Sequence, residues 1–170
     1  MIQDKIVEVA KKYVGKTEKP NNTGFTDAEF EKRMKDTGWD KGMSWCSFFC
    51  ELVWKEAYLG SKEISSLDKL FSGSATATFK NFDLAKEQGW QTGLMPKVGA
   101  LAVWRYGVGW QGHIGIVVEE NGVTFKTVEG NTNDKGGREG YIVAVKSRVT
   151  KGVFQKNGLN LIGFVYPKEV

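Results

Sequence analysis

GMSWCSFFCELVW, from Gly42 to Trp54, holds the chain's two cysteines, Cys46 and Cys50, on the opening turns of one expected helix. Two readings compete for them: a reactive thiolate, or small apolar residues that help to bury a helix. Residues four apart on a helix share a face, but their Cα atoms lie about 6 Å apart with nearly parallel Cβ vectors, a poor disulfide geometry. Free thiols are expected. With Ser44 as N-cap of a helix running to about Ala57, Cys46 falls in the first turn, where unpaired N–H groups and the helix dipole favour a thiolate. Cys50 sits a turn deeper among Phe49, Val53 and Trp54, which suits an inert, buried thiol. If either cysteine is reactive, it is Cys46.

Outward from this helix, the first half of the chain reads helical. MIQDKIVEVAKKYVGK places Ile2, Ile6, Val9, Ala10 and Tyr13 on one face. A turn-rich loop follows, then a helix over Thr26–Lys35 that opens with a Thr26/Glu29 capping box. Leu59–Gly73 reads as irregular, and a further helix is expected over Ala75–Gln88, stopped by Gly89. The second half changes period: GALAVWR, HIGIVVEE, VTFKTVEG, YIVAVKSR and LIGFVYP are short and rich in β-branched and aromatic residues. ENG at Glu120–Gly122 marks a hairpin between the second and third of them. The fold class is therefore α+β, with N-terminal helices on a C-terminal antiparallel sheet of about five strands. The 170 residues, 41% hydrophobic, suit one domain over 1–170.

Composition narrows the function classes. A net charge of +4 comes from scattered lysines, with no arginine-rich arm or basic-aromatic ladder, so nucleic acid is not expected as a partner. The same surface suits an anionic envelope polymer or simple solubility. No window approaches the ~18 apolar residues of a membrane span, and the charged opening lacks the apolar core of a secretory leader. One histidine and no second cysteine pair leave too few soft ligands for zinc.

That one histidine, His113, opens the strand GHIGIVV, with Gly112 and Gly115 leaving room for backbone or substrate to approach. The next strand ends VEGNT, where Glu129 and Asn131 share a face. A hairpin centred near Asn121 puts residue 113 opposite about residue 129, so the carboxylate of Glu129 or the amide of Asn131 comes within reach of the imidazole. Taken singly, His113 reads as a structural strand-edge residue, Glu129 as a solvated charge and Asn131 as a turn former. Together with Cys46 they make a nucleophile, a base and orienting partners.

The order WCSFF, GHIGIVV, VEGN resembles the CHAP domain, the cysteine- and histidine-dependent amidohydrolases/peptidases, within the wider papain-like and NlpC-like cysteine peptidases. AKKYVGKTEKPNN looks like that family's opening helix and Gly-x-x-Glu loop, and PKVGALAVW looks like its strand before the histidine. The resemblance implies Cys46 as nucleophile, His113 as base, Glu129 and Asn131 as orienting partners, and hydrolysis of an amide bond in bacterial peptidoglycan, as a stem-peptide endopeptidase or an N-acetylmuramoyl-L-alanine amidase. Two departures stand out: Gly99-Ala100 replaces the family's common Gly-Asp, and no Asp-rich calcium loop precedes Cys46. Neither a metal nor any other cofactor is expected.

Trp45, Tyr106 and Trp110 are candidates for the walls of a substrate groove, although Trp45 equally suits the core. Glu18 and Asn22 either recognise a peptide amine or carboxylate or simply shape their loop. The polar loop NTNDKGGREG (Asn131–Gly140) flanks the same edge, in a position to move over substrate. The expected partner is peptidoglycan or a wall peptide, with an immunity or inhibitor protein as a second candidate and a monomer as the default. The expected route is synthesis in the cytoplasm and action at the bacterial wall after release or delivery. Two rival readings stay open: another thiol acyl enzyme, such as a transpeptidase or protein-modifying hydrolase, and an inactive wall-binding module of the same fold.

Overall fold

The computed structural model describes residues 1–132 and 140–170. The elements run α1 (Ile2–Lys12), α2 (Ala28–Asp36), α3 (Cys46–Ala57), α4 (Ile64–Leu70), α5 (Ala75–Leu84), then β1 (Gln91–Gly93), β2 (Leu101–Tyr106), β3 (Gly112–Glu120), β4 (Thr124–Thr132), β5 (Ile142–Val149) and β6 (Leu159–Tyr166). Short 3-10 turns follow α1 and α5. The strands form one antiparallel sheet of six in the order β1-β6-β2-β3-β4-β5. The α+β expectation holds, with the three-residue β1 added at one edge.

Local chemistry explains the element ends and corrects several expectations. Asp27, not Thr26, caps α2: its carboxylate accepts from the Phe30 N–H. The segment expected to be irregular contains α4, whose Leu67 and Leu70 are buried while its polar residues face out. Ser74 caps α5, and Gly89, at φ +87°, ends the turn after it. Helix α3 starts at Cys46 with Trp45 in the cap position and no side-chain cap, so Ser44 is not its N-cap. Both cysteines are free thiols.

Helix α3 is the centre of the molecule. Cys46, Phe49, Cys50, Leu52, Val53, Trp54 and Ala57 are all buried, apolar on several faces because helices and sheet surround it. Below it, Leu101, Val103, Ile114, Ile116 and Val128 project from the sheet into the same core. The alternate strand residues Ala102, Trp104, Val117 and Phe125 form a smaller cluster on the other face with Phe164. Each fully buried large side chain contributes about 1.5–3 kcal/mol. Among the described residues, no helix is long and apolar enough to cross a membrane.

One buried group works against this core. Glu51 of α3 is 9% exposed in its side chain, with Lys55 3.6 Å away, while Lys55 is drawn to Asp68 at 2.6 Å. Burial pushes the Glu51 carboxyl up to about 7, only partly countered by Lys55. An acid with a raised folded pKa binds its proton more tightly when folded, so stability falls as pH rises from about 4.5 through about 7. Glu51→Gln should stabilise the fold by about 1–3 kcal/mol at pH 8 and by almost nothing at pH 4. Urea unfolding at the two pH values tests this; an equal effect at both would show that the carboxylate charge is not the cause.

Candidate active site

Cys46 is the first residue of α3, 4% exposed, with its backbone in the turn whose N–H groups have no intrahelical partner. The helix start is drawn against β4 at Gly130. A Cβ there would lie 2.7 Å from Phe49 Cβ and from the Trp45 ring, so only glycine lets the strand run this close to the helix. Trp45 is itself fully buried, packed edge-on to Phe25 at 4.9 Å.

The imidazole comes from β3. His113 pairs across the sheet with Trp104 and projects from the face opposite Ile114 and Ile116. Its Nε2 lies 2.7 Å from Glu129 Oε2, which leaves Nδ1 as the second ring nitrogen. The Cys46 thiol acts on the same ring. Cys46 and His113 line one cavity of about 570 Å³ together with Ser44, Tyr106, Asn131 and Arg148.

Glu129 reaches the imidazole by a route that the turn alone did not indicate. The hairpin loop is Asn121–Val123, with Gly122 at φ +86° and the Asn121 carboxamide oxygen accepting from the Val123 and Thr124 N–H groups. The register shifts between Val117 and Glu119, and the pairs Ile116–Val128 and Val117–Thr127 follow. Continued by one pair, this sets Glu129 opposite Gly115, two residues from the expected His113. The carboxylate then crosses to His113 diagonally, over the glycine: a Cβ on Gly115 would meet Glu129 Cγ at 2.5 Å. Gly115 admits a side chain of the protein itself, where backbone or substrate had been expected.

Glu129 has no exposed surface, and its oxygens are fully engaged. Arg148 of β5 donates from Nε to Oε1 at 2.8 Å and from Nη2 to Oε2 at 2.7 Å, and the Thr127 hydroxyl donates to Oε1 at 2.5 Å. Burial raises the carboxyl pKa, but the charges and hydrogen bonds of His113 and Arg148 outweigh it and hold the group well below the usual carboxylate range. Burial likewise opposes the imidazolium, and Glu129 with Cys46 overcomes it, lifting His113 to about 10. Cys50 is fully buried; desolvation first, then its interactions with the neighbouring Cys46 and Glu129, pushes its thiol up, so it stays protonated.

The remaining candidates separate. The Asn131 amide does not bond the imidazole: it donates to Ser44 Oγ at 2.7 Å, from a left-handed backbone (φ +52°) at the bulge between Glu129 and Thr132. Tyr106 lines the Cys46 cavity. Trp45 does not, because its ring is core and its Nε1 donates to Glu18 at 3.1 Å. Glu18, 8% exposed, is thereby part of an internal brace, and the Asn22 amide, with its nitrogen turned toward Glu18, donates to it at 3.0 and 3.2 Å. Trp110 is 75% exposed and belongs to a different cavity with Thr76, Lys80, Asp83 and Arg105. Of the expected mobile loop, residues 133–139 lie outside the described residues. Arg148 was missed: it pairs with Phe125 in register and reaches Glu129 only through tertiary placement, a relation with no local motif.

A thiol at a helix start that shares a cavity with a strand-borne imidazole, itself bonded to a buried carboxylate, is an arrangement suited to thiol acyl transfer. Residues 38–131 match the CHAP domain family model, and the chain belongs to that family. Its members are generally hydrolytic amidases or peptidases related to peptidoglycan. No curated protein matches the chain significantly.

Gly115→Ala tests the diagonal contact. The added methyl should push Glu129 off the ring at a cost of about 1–3 kcal/mol, and the His113 titration should fall from about 10 toward about 6.5. NMR of the imidazole protons reads this directly; an unchanged titration in the folded variant would show that Glu129 is not held over Gly115.

Proposed function

We propose that this chain is a peptidoglycan hydrolase that cleaves a wall amide bond, between stem-peptide residues or at the sugar–peptide junction, with Cys46 as nucleophile. The observation that carries the reading is that Cys46 and His113 share one cavity, with the buried Glu129 carboxylate bonded to His113 at 2.7 Å behind it. In the proposed cycle, Cys46 is a thiolate paired with imidazolium, favoured by the helix start and by the charge of Glu129. The sulfur attacks the carbonyl carbon, and the oxyanion is met by the Cys46 N–H. The Asn131 amide and Ser44 hydroxyl, joined at 2.7 Å beside the nucleophile, are the candidates for a second donor.

His113 then gives its proton to the leaving amine, and the acyl group remains on sulfur as a thioester. Water, deprotonated by the neutral imidazole, attacks the thioester and releases a carboxylate and the free thiolate. Glu129 orients the ring and stabilises its charged form throughout. Tyr106, on the cavity wall, is placed to contact substrate. The enzyme would act at the bacterial wall after release or delivery, where an immunity or inhibitor protein would have to cover this cavity.

Incubation with purified wall peptides, followed by mass spectrometry of the new amine, names the bond. Cys46→Ala should lower turnover by at least about a thousandfold with the fold intact, whereas Cys50→Ala should change it less than about threefold. Full cleavage by the Cys46→Ala protein would remove the thiol mechanism. Transfer of the acyl group to an added amine in place of water would instead make the protein a transpeptidase.

A further inference from the structure

Arg148 lies outside the motifs that mark this site, yet it holds both oxygens of Glu129 in a two-pronged contact (2.8 and 2.7 Å). One of those oxygens, Oε2, is also the one that meets His113 Nε2 at 2.7 Å. A single carboxylate oxygen is thus shared by guanidinium and imidazole. The other is taken by Arg148 and Thr127, so the carboxylate is fixed in plane and in rotation. The guanidinium is itself braced: it lies over the Trp104 ring at 4.9 Å, and the same indole faces the His113 ring at 5.9 Å.

The titratable and charged groups around the His113–Glu129 pair come from three elements: His113 on β3, Arg148 on β5 with Lys146 two residues before it on the same cavity wall, and Cys46 with Cys50 on α3. With Cys50 protonated, the reactive state pairs two anions, Cys46 and Glu129, with two cations, His113 and Arg148. That set of four is neutral. Without Arg148, a surplus negative charge would be left around a carboxylate with no exposure to water, where an uncompensated charge is most costly. Every group in the set would then hold its proton more tightly. Arg148 also draws carboxylate charge away from His113, so the imidazolium stays acidic enough to release its proton to a leaving amine.

We propose that Arg148 is a positioning and charge-balancing residue for the His113–Glu129 pair, setting the pH range in which Cys46 and His113 work. The proposal rests on the thiol reading above. Its test compares Arg148→Gln and Arg148→Lys with the parent protein, all in a Cys50→Ala background. The readouts are iodoacetamide alkylation of Cys46, and kcat and kcat/KM on wall peptides, across pH, with circular dichroism for the folded fraction.

In Arg148→Gln, both limbs of each profile should move to higher pH by about one unit, making alkylation at pH 6 about tenfold slower. Arg148→Lys should keep the limbs in place, because the charge remains, and lose about tenfold in kcat, because the fork is gone. A Gln profile that overlays the parent's, with rates reduced only by the unfolded fraction, would overturn the proposal. Should the Gln variant not fold, the Lys variant decides: parental kcat, or displaced limbs, overturns it. A parent Cys46 that alkylates no faster than a free thiol would sink the hydrolase reading itself, which separates the two failures.

Discussion

A carboxylate with no exposure to water organises this molecule. Glu129 persists in charged form only because three donors from three strands surround it: His113 on β3, Thr127 on its own β4, and Arg148 on β5. A buried ion costs several kcal/mol unless it is paired and hydrogen-bonded, so a slip of any of these strands would leave the charge stranded. A one-residue slip would also turn every side chain to the wrong face. The register of the central sheet and the orientation of the imidazole are therefore the same constraint seen from two sides.

The nucleophile reaches that arrangement from the helical layer. Helix α3 is buried on several faces and has little freedom to rotate, which fixes where its first residue falls. Two absent side chains close the remaining distance. Gly130 lets β4 lie against Trp45 and Phe49, bringing helix start to strand, and Gly115 opens the path by which Glu129 crosses to His113. The sheet's second face carries the polar line from His113 to Arg148 over Trp104, backed by the stack of Trp104 on Phe125 at 6.2 Å. Two cores on two faces hold one site at their margin.

How much of this was legible depended on the range of each interaction. Alternation and β-branching marked β2 to β6, whereas β1, three residues long, offers too short a run to show a period. Helix α4 carries only two buried leucines among polar neighbours, too weak a pattern to separate from loop. Ser44 looked like a cap by residue type, but its hydroxyl is taken by Asn131, a residue 87 positions away. Residue type left Trp45 between groove and core, and Glu18 and Asn22 between recognition and loop shaping; the Trp45 indole N–H and the Glu18 carboxylate satisfy each other because both are buried, and the exposed Asn22 amide bonds Glu18 from outside.

Short-range chemistry in the chain was enough to determine the α+β division, the helix-start position of Cys46, and the neighbouring strands that bear His113 and Glu129. These follow from periodicity, turn residues and helix ends, all of which act within a few residues. Tertiary structure alone decided that Glu129 sits over Gly115, that Asn131 turns to Ser44, that Trp110 leaves the Cys46 cavity, and that Arg148 joins the charged line. Each of those outcomes depends on which surfaces remain open after the sheet has twisted and the helices have packed, and a bulge of one residue is enough to redirect them.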